Sequence, residues 1–366
     1  MNAAAAARTG PWADVLEDRG HEVVVLTSRE AVGEGDPRVW ASRFGVPSNQ
    51  VGLVRRFLQE VRLGRDIAGE LRRRVENLDL AVITSPPFFL ATLCAKVARR
   101  CSLPYVFDVR DRYPGVLFEL DLLSPSGLPG KWLSRMEQKA YAGAKLIATV
   151  THSLKKELGE TVDPKKVLRV PNGFDGVLFP EELAERRKQE NFTVVYHGRF
   201  SRLHDVDALR RLAAVTRRLD PDVRFVVAGP VPDDLREGDW GATTFLGELP
   251  RGEIPGLLAE CHLGVSLMKP SGATRVAMPA KVFEYLGAGL PLLAAPEGEL
   301  CEFIRERGIG LAFDVVDPQA MAEAIVSLKS NAEAWNRMSA KARALRPELD
   351  RRITVIPFAK RLESLS

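Results

Sequence analysis

At 366 residues the chain is about twice the usual length of a single domain, so two domains with separate cores are expected. With 45% hydrophobic and 27% charged residues, 29 glycines and 24 prolines, it is not a disordered, collagen-like or disulfide-dense protein. The 52 Lys and Arg against 48 Asp and Glu leave a formal charge of +4, too near balance to imply nucleic acid, so any basic function must be local.

Cys94, Cys101, Cys261 and Cys301 form neither a CxxC nor a paired spacing. A disulfide framework and a zinc site are therefore not indicated, and a reducing, cytoplasmic setting is expected. The longest uncharged run, LAVITSPPFFLATLCA (80–95), is too short for a bilayer span and carries Pro86 and Pro87 in its middle. The opening MNAAAAARTG lacks the basic start and long apolar stretch of a signal peptide.

In chain order, short β-branched runs alternate with stretches of helical period, the pattern of parallel sheets wrapped by helices. The first set of strand candidates is HEVVVLTS (21–28), LDLAVITS (78–85), PYVFDVRD (104–111), AKLIATVT (144–151) and KVLRVPNG (166–173). The second is FTVVYHG (192–198), DVRFVVAG (222–229), TTFLGEL (243–249), HLGVSLMK (262–269), LPLLAAP (290–296) and IGLAFDV (309–315). Two such sets predict an α/β protein of two doubly wound sheets, with ligands at the carboxyl ends of their strands, in the cleft between them. The boundary falls at VPNGFD (170–175), giving domains 1–173 and 174–350, with a closing helical segment, 351–366, whose docking site the sequence does not specify, the first domain being one option. A βαβ series normally opens with a strand. Here Ala-rich helical material comes first, so either the architecture is unusual or the opening strand is missing, as a start site placed too late would produce.

Four stretches could carry chemistry. In VGLVRRFLQEVRLGRDIAGELRRRVENL (51–78), Val51, Val54, Phe57, Leu58 and Val61 share a helical face against a remainder rich in arginine. The stretch reads either as a core-packing helix with a solvated basic face or as a helix for an anionic membrane surface. In FDVRDRYPG (107–115), Asp108, Arg110 and Asp111 end a strand, where a carboxylate could meet an acceptor hydroxyl; Asp111 could equally cap a helix or pair with Arg110. In VVYHGRFSRLHDVDAL (194–209), Gly198 permits a tight turn, Arg199 offers a fork for phosphate oxygens or a surface ion pair, and His204 lies near the next helix start.

The most informative stretch is KPSGATRVAMPAKVFEYLGAGLPLLAA (269–295). Pro279 suits the first position of a helix, whose amide groups, with Lys281 in the first turn, make an anion site fit for a diphosphate. Glu284, one turn on, can accept two hydrogen bonds from a vicinal diol. The plainer reading is a surface helix with a solvated Lys and Glu.

These residues carry a family resemblance. The segments RGHEVVVLT, ITSPPFFLATL, FDVRDRYP, VPNGFD, YHGRFSRLHDVDAL, FLGELPRGEIPGLLAECHLGVSL, MPAKVFEYLGAGLPLLAA and GIGLAFDVVDPQAMAEAI, in this order, resemble a retaining GT-B glycosyltransferase of family 4. The similarity is to the branch that builds bacterial capsular, exopolysaccharide and O-antigen chains. It implies two Rossmann-like domains, the second holding a nucleotide-sugar donor, UDP-linked by preference, and the first a glycan or polyprenyl-linked acceptor.

The resemblance also implies residue roles. Arg199, beside Gly198, would contact the donor diphosphate together with the amides of Met278, Pro279, Ala280 and Lys281. Glu284 would hold the ribose, Leu246 and Gly247 would border the base, and Asp111 would position the acceptor. Arg8, Thr9 and Gly10 would sit on a loop facing donor phosphate and acceptor, with Asn172 of the VPNGFD turn counted beside them. Three departures stand out: His204 replaces the usual Lys of the diphosphate turn, leaving Lys281 to substitute; Val276 replaces the first Glu of a pair; and Arg110 stands where many relatives have His.

The implied reaction needs no metal and no cofactor. The diphosphate leaves an oxocarbenium-like centre, with Arg199 and Lys281 neutralising its charge, and the acceptor hydroxyl attacks the same face. The alternatives are a nucleotide-sugar-binding protein or partner subunit without transfer activity, and an enzyme glycosylating a small antibiotic aglycone. A sugar 2-epimerase fits less well, since that group lacks the MPAKVFEY arrangement. The expected setting is cytoplasmic, peripheral on the inner membrane face.

Overall fold

A computed structural model describes residues 4–29, 36–47, 52–119, 121–186, 188–231 and 233–365. Val51, the start of the expected basic stretch, and the terminal positions 1–3 and 366 lie outside the described residues. The chain forms two compact units, Met1–Pro171 with Thr354–Ser366, and Asn172–Ile353.

The first unit opens with helix α1 (Ala4–Asp18), followed by a short parallel pair, β1 (Val25–Thr27) and β2 (Val39–Ala41). Its main sheet has four parallel strands in the order β3 (Ala81–Ser85), β4 (Tyr105–Val109), β5 (Leu146–Thr149) and β6 (Val167–Arg169). Strand β2 had no counterpart among the expected elements. The pair β1–β2 is separate from the main sheet among the described residues, so β3 bonds to one neighbour only, β4, and its Val82 is exposed.

Alternation along β4 sorts the two faces of this sheet. Tyr105, Phe107 and Val109 face a core completed by α2 (Leu53–Arg74) and α3 (Phe88–Arg100). Val106 faces the other core, made with Trp12 and Val15 of α1 and with Phe358, Ala359 and Leu362 of the Ile356–Glu363 helix. Helices α2 and α3 approach closely because Gly64 has no side chain; a Cβ there would stand 2.8 Å from the Leu90 Cα.

Helix α2 combines the two readings that its sequence left open. Its second half buries Leu63, Ile67, Ala68 and Leu71, as a core helix must. In its first half Val54 and Leu58 are 74% and 54% exposed, so the apolar face read from the sequence is in part a surface.

The second unit is a six-stranded parallel sheet in the order β12 (Gly310–Ala312), β11 (Leu292–Ala295), β10 (Leu263–Leu267), β7 (Thr193–His197), β8 (Arg224–Ala228) and β9 (Thr243–Gly247). Val194 and Tyr196 of β7 enter one core while Val195 enters the opposite one, so both faces are covered by helices. The chain winds outward from β7 through β8 to β9, then returns to β10 on the other side of β7. The switch point between β7 and β10 is where an open α/β sheet leaves a crevice for a ligand.

Candidate functional site in the second unit

Three glycines shape the carboxyl edge of this sheet. Gly198, Gly229 and Gly247 follow or end β7, β8 and β9 with φ of +104°, +143° and +69°. The Gly198 amide donates to the Ala228 carbonyl at 2.8 Å and the Gly229 amide to the Gly247 carbonyl at 2.6 Å. A Cβ on Gly229 would collide with the Gly198 carbonyl oxygen, so the backbone itself forms the rim here. Gly198 and Gly247 were expected at the site, whereas Gly229 was missed although it ends the DVRFVVAG strand.

The segment after Gly198 crosses the switch point. Asp205 N–H donates to the Leu267 carbonyl at 3.1 Å, Lys269 N–H donates to the Leu203 carbonyl at 2.8 Å, and His204 bridges Met268. This ties the loop after β7 to the end of β10. Asp205 then caps the Val206–Leu219 helix by accepting from the Ala208 amide.

The Ala280–Gly287 helix connects β10 to β11. Pro279 is its N-cap, with extended ψ of 140°, and not its first helical residue as the sequence suggested. No side chain caps this end, so the amides of Ala280 and Lys281 are open to an anion beside the positive end of the helix dipole.

Tyr285 sets the position of this helix. Its ring lies on Gly264, where a Cβ would come within 2.5 Å of the ring. Its hydroxyl accepts from the His197 amide at 3.1 Å and donates to the Val265 carbonyl at 3.3 Å, clamping β7 to β10. Glu284 is thereby held beside the end of β7, with its Oε2 2.9 Å from His197 Nε2. The approach is short but poorly aligned for a hydrogen bond. Partial burial raises the Glu284 pKa, but the His197 contact and the more distant Arg351 and Arg251 outweigh it, so the carboxyl is held below its ordinary value. His197 and Tyr285 were not singled out from the sequence; the His before the Gly-Arg pair and the Tyr after the Glu were the available signals.

Lys281 does not point into solvent. Its side chain is buried, with Nζ 3.6 Å from the centre of the Tyr196 ring and 3.3 Å from His204 Nε2. Burial pushes the ammonium well below the usual lysine range, with Glu284 opposing. His204 is likewise lowered, to about 3, by burial and by Lys281. Arg199 is exposed and pairs with exposed Glu248 at 3.0 Å. Such a solvated pair is worth less than about 1 kcal/mol, so a phosphate can replace the carboxylate. Leu246 is exposed on β9, and Met278 is partly buried against the core beneath the helix.

In the first unit the expected loop residues are placed differently. Arg8, Thr9 and Gly10 lie inside helix α1, not on a loop. Arg8 is buried and forks onto Asp108 through Nη2 at 2.9 Å and Nε at 3.1 Å. Arg110 is drawn aside to the Pro86 carbonyl at 2.8 Å. Asp111 is exposed at the end of β4 and makes no side-chain hydrogen bond among the described residues. It neither caps a helix nor forks with Arg110. Asn172 falls at the start of the second unit, partly buried. Among the described residues, no cluster of three or more His, Cys, Asp or Glu could hold a metal ion, and no helix is long and apolar enough to cross a membrane.

A first unit whose parallel sheet is wound in one direction, since β3 to β6 follow one another without the reversal expected from the sequence, and a doubly wound second unit, with an anion-ready helix start and a carboxylate one turn further on at its switch point, define a two-domain Rossmann-like protein of GT-B fold. Residues 4–173 match the model of the glycosyl transferase 4-like domain and residues 191–331 that of glycosyl transferases group 1. The chain belongs to the GT-B glycosyltransferases, built from these two domains in succession.

Three solved structures illustrate the fold. The HepE protein of Anabaena, in complex with UDP-glucose, has a TM-score of 0.66 at 18% identity, covering 88% of this chain and 86% of that one. WaaG, a glycosyltransferase involved in lipopolysaccharide biosynthesis, gives 0.67 at 14% identity, with 98% and 95% covered. Sucrose-phosphate synthase from Thermosynechococcus elongatus gives 0.69 at 15%, with 96% and 92% covered. No curated protein sequence matches the chain.

Proposed function

We propose that the protein transfers a sugar, with retention and without a metal, from a UDP-sugar to a hydroxyl of a glycan or lipid-linked saccharide in the assembly of a cell-surface polysaccharide. The observation that carries this reading is the convergence, at one switch point, of the open helix start at Ala280, the ionised Glu284 and the glycine rim. A diphosphate would lie on the amides of Ala280 and Lys281, with Arg199 released from Glu248 to meet it, and the ribose diol would bind Glu284. Asp111, whose side chain makes no hydrogen bond among the described residues, would orient the acceptor hydroxyl. The solved structures of HepE contain UDP-glucose or UDP, and WaaG is described as acting in lipopolysaccharide biosynthesis; both support this class of donor and product.

Incubation with a panel of UDP- and GDP-sugars and saccharide-lipid acceptors is expected to give turnover with a UDP-sugar, and the anomeric configuration of the product, read by NMR, should match that of the donor. An inverted product would overturn the retaining assignment. Binding of nucleotide without transfer to any acceptor would favour the second reading, a nucleotide-sugar-binding subunit, for which the His204 replacement in the diphosphate turn speaks.

We also assign α2 a membrane-facing role on the inner face of the cell membrane. Exposed Val54 and Leu58 are joined through Phe57, Phe89 and Trp132, whose rings follow at 5.4 and 5.9 Å, to exposed Leu128. Exposed Arg55, Arg62, Lys131 and Arg135 lie on the same two helices, α2 and Leu128–Gly143. Apolar side chains among cations suit an anionic bilayer. The protein is expected to sediment with anionic vesicles at low salt, and Leu58→Ser with Trp132→Ser should abolish this; equal sedimentation of the double variant would return α2 to a purely structural role.

A further inference from the structure

We propose that Lys281 is an uncharged amine in the nucleotide-free protein and takes up a proton when the donor diphosphate binds, so that donor binding is coupled to proton uptake. This inference rests on the donor-site reading above.

The geometry fixes the protons one by one. The backbone N–H of Ser201, always a donor, points at His204 Nδ1 at 2.9 Å, and the Ser201 hydroxyl lies at the same distance from the same nitrogen. Nδ1 is therefore the acceptor nitrogen of a neutral ring, and the ring proton is on Nε2. That Nε2–H faces Lys281 Nζ at 3.3 Å. An ammonium has three donors and no lone pair, so it would set donor against donor; a neutral amine accepts the bond.

The other groups facing Nζ divide between the two forms. The Tyr196 ring, whose centre is 3.6 Å away, and Glu284, one turn along the same helix, favour the ammonium. Enclosure disfavours it, because a buried ammonium loses its hydration and finds no anion in direct contact among the described residues. Burial is the dominant influence, as the direction of the lysine shift indicates.

A diphosphate reverses this balance. The space above Gly198 adjoins the amine: a Cβ at Gly198 would be 3.8 Å from Lys281 Cε and 3.9 Å from Nζ. Phosphate oxygens entering there bring negative charge and acceptors to the nitrogen, which becomes –NH3+ by taking one proton from solvent, while the Nε2–H of His204 turns toward a phosphate oxygen. Linkage gives the sign. With a proton bound on association, affinity falls as pH rises between the lowered pKa of the free protein and the restored one of the complex, by up to about tenfold per pH unit.

Calorimetric titration with UDP at pH 8, where the nucleotide phosphates are already ionised, in Tris and in HEPES buffers, reads the proton directly. The expected result is buffer-dependent heat corresponding to about one proton taken up per UDP. Lys281→Arg, charged at all these pH values, should bind UDP without uptake, and Lys281→Met should bind more weakly, also without uptake. Equal heats in the two buffers for the unmodified protein, or uptake that persists in Lys281→Met, would overturn the proposal while leaving the donor site standing. A failure to bind UDP at all would overturn both.

Discussion

Arg8→Ala is expected to destabilise the first unit by about 3–5 kcal/mol, the range for breaking a buried ion pair from one side. Arg8 and Asp108 are 3% and 0% exposed. The guanidinium also donates to the Val170 carbonyl at 2.8 Å and lies over the Trp12 ring at 4.5 Å, joining α1 to β4 and to the segment after β6. Without it, Asp108 keeps the Thr84 hydroxyl, at 2.8 Å, and a buried charge with only the more distant Arg110 to offset it among the described residues. The cost comes from that stranded carboxylate more than from the lost bonds. Arg8→Met combined with Asp108→Leu should therefore recover most of the stability that Arg8→Ala removes. Urea unfolding followed by the fluorescence of Trp12 and the other tryptophans would measure both; a loss below about 1 kcal/mol for Arg8→Ala would refute the structural role given to this pair.

Glu284→Ala is expected to weaken UDP binding by about 1.5–3 kcal/mol, roughly ten- to a hundredfold, the worth of hydrogen bonds from a diol to an ionised group. The carboxylate is ionised at neutral pH because His197, Arg351 and Arg251 together outweigh its partial burial. Glu284→Gln keeps one acceptor oxygen and the shape, so its loss should be smaller. His197→Gln tests the orientation separately: it leaves both carboxylate oxygens in place but removes their neighbour at 2.9 Å, so UDP affinity should fall less than in Glu284→Ala. Calorimetric affinity for UDP unchanged in Glu284→Ala would remove this residue from the donor site.

Much of this architecture was legible in the sequence because parallel strands buried on both faces read as continuous apolar runs. VVYHG, RFVVAG and LGVSL each coincide with an observed strand and end where the chain turns. The Ala280–Gly287 helix was legible from Pro279 at one end and Gly289, with φ of +69°, beyond the other. The short β2 was not, since VWA is too brief for a period to emerge.

Side-chain direction was the larger gap. Lys281 reads as a cation beside an anion site, yet its stem passes under Gly198 to Tyr196, a neighbour supplied by a strand more than eighty positions earlier. The family resemblance would put Arg8 on a loop facing donor and acceptor, and only the placement of α1 on the Asp108 face of β4 turns it into a core residue. In both cases the partner that decides the role is remote in sequence, and periodicity carries no information about it.

The membership of the Ile356–Glu363 helix in the first unit bears on the order of folding during synthesis. Phe358 packs on Trp12 with ring centres 4.7 Å apart, and Arg19 forks onto Glu363 at 2.6 and 2.7 Å. The core beneath α1 thus waits for residues made after the whole of Asn172–Ile353. Domains usually mature on the ribosome from the amino end. Here the later-made unit can close first, and the earlier one must hold an open apolar face until Val355, Phe358 and Leu362 have been made. That interval is when a nascent chain of this protein most needs a chaperone.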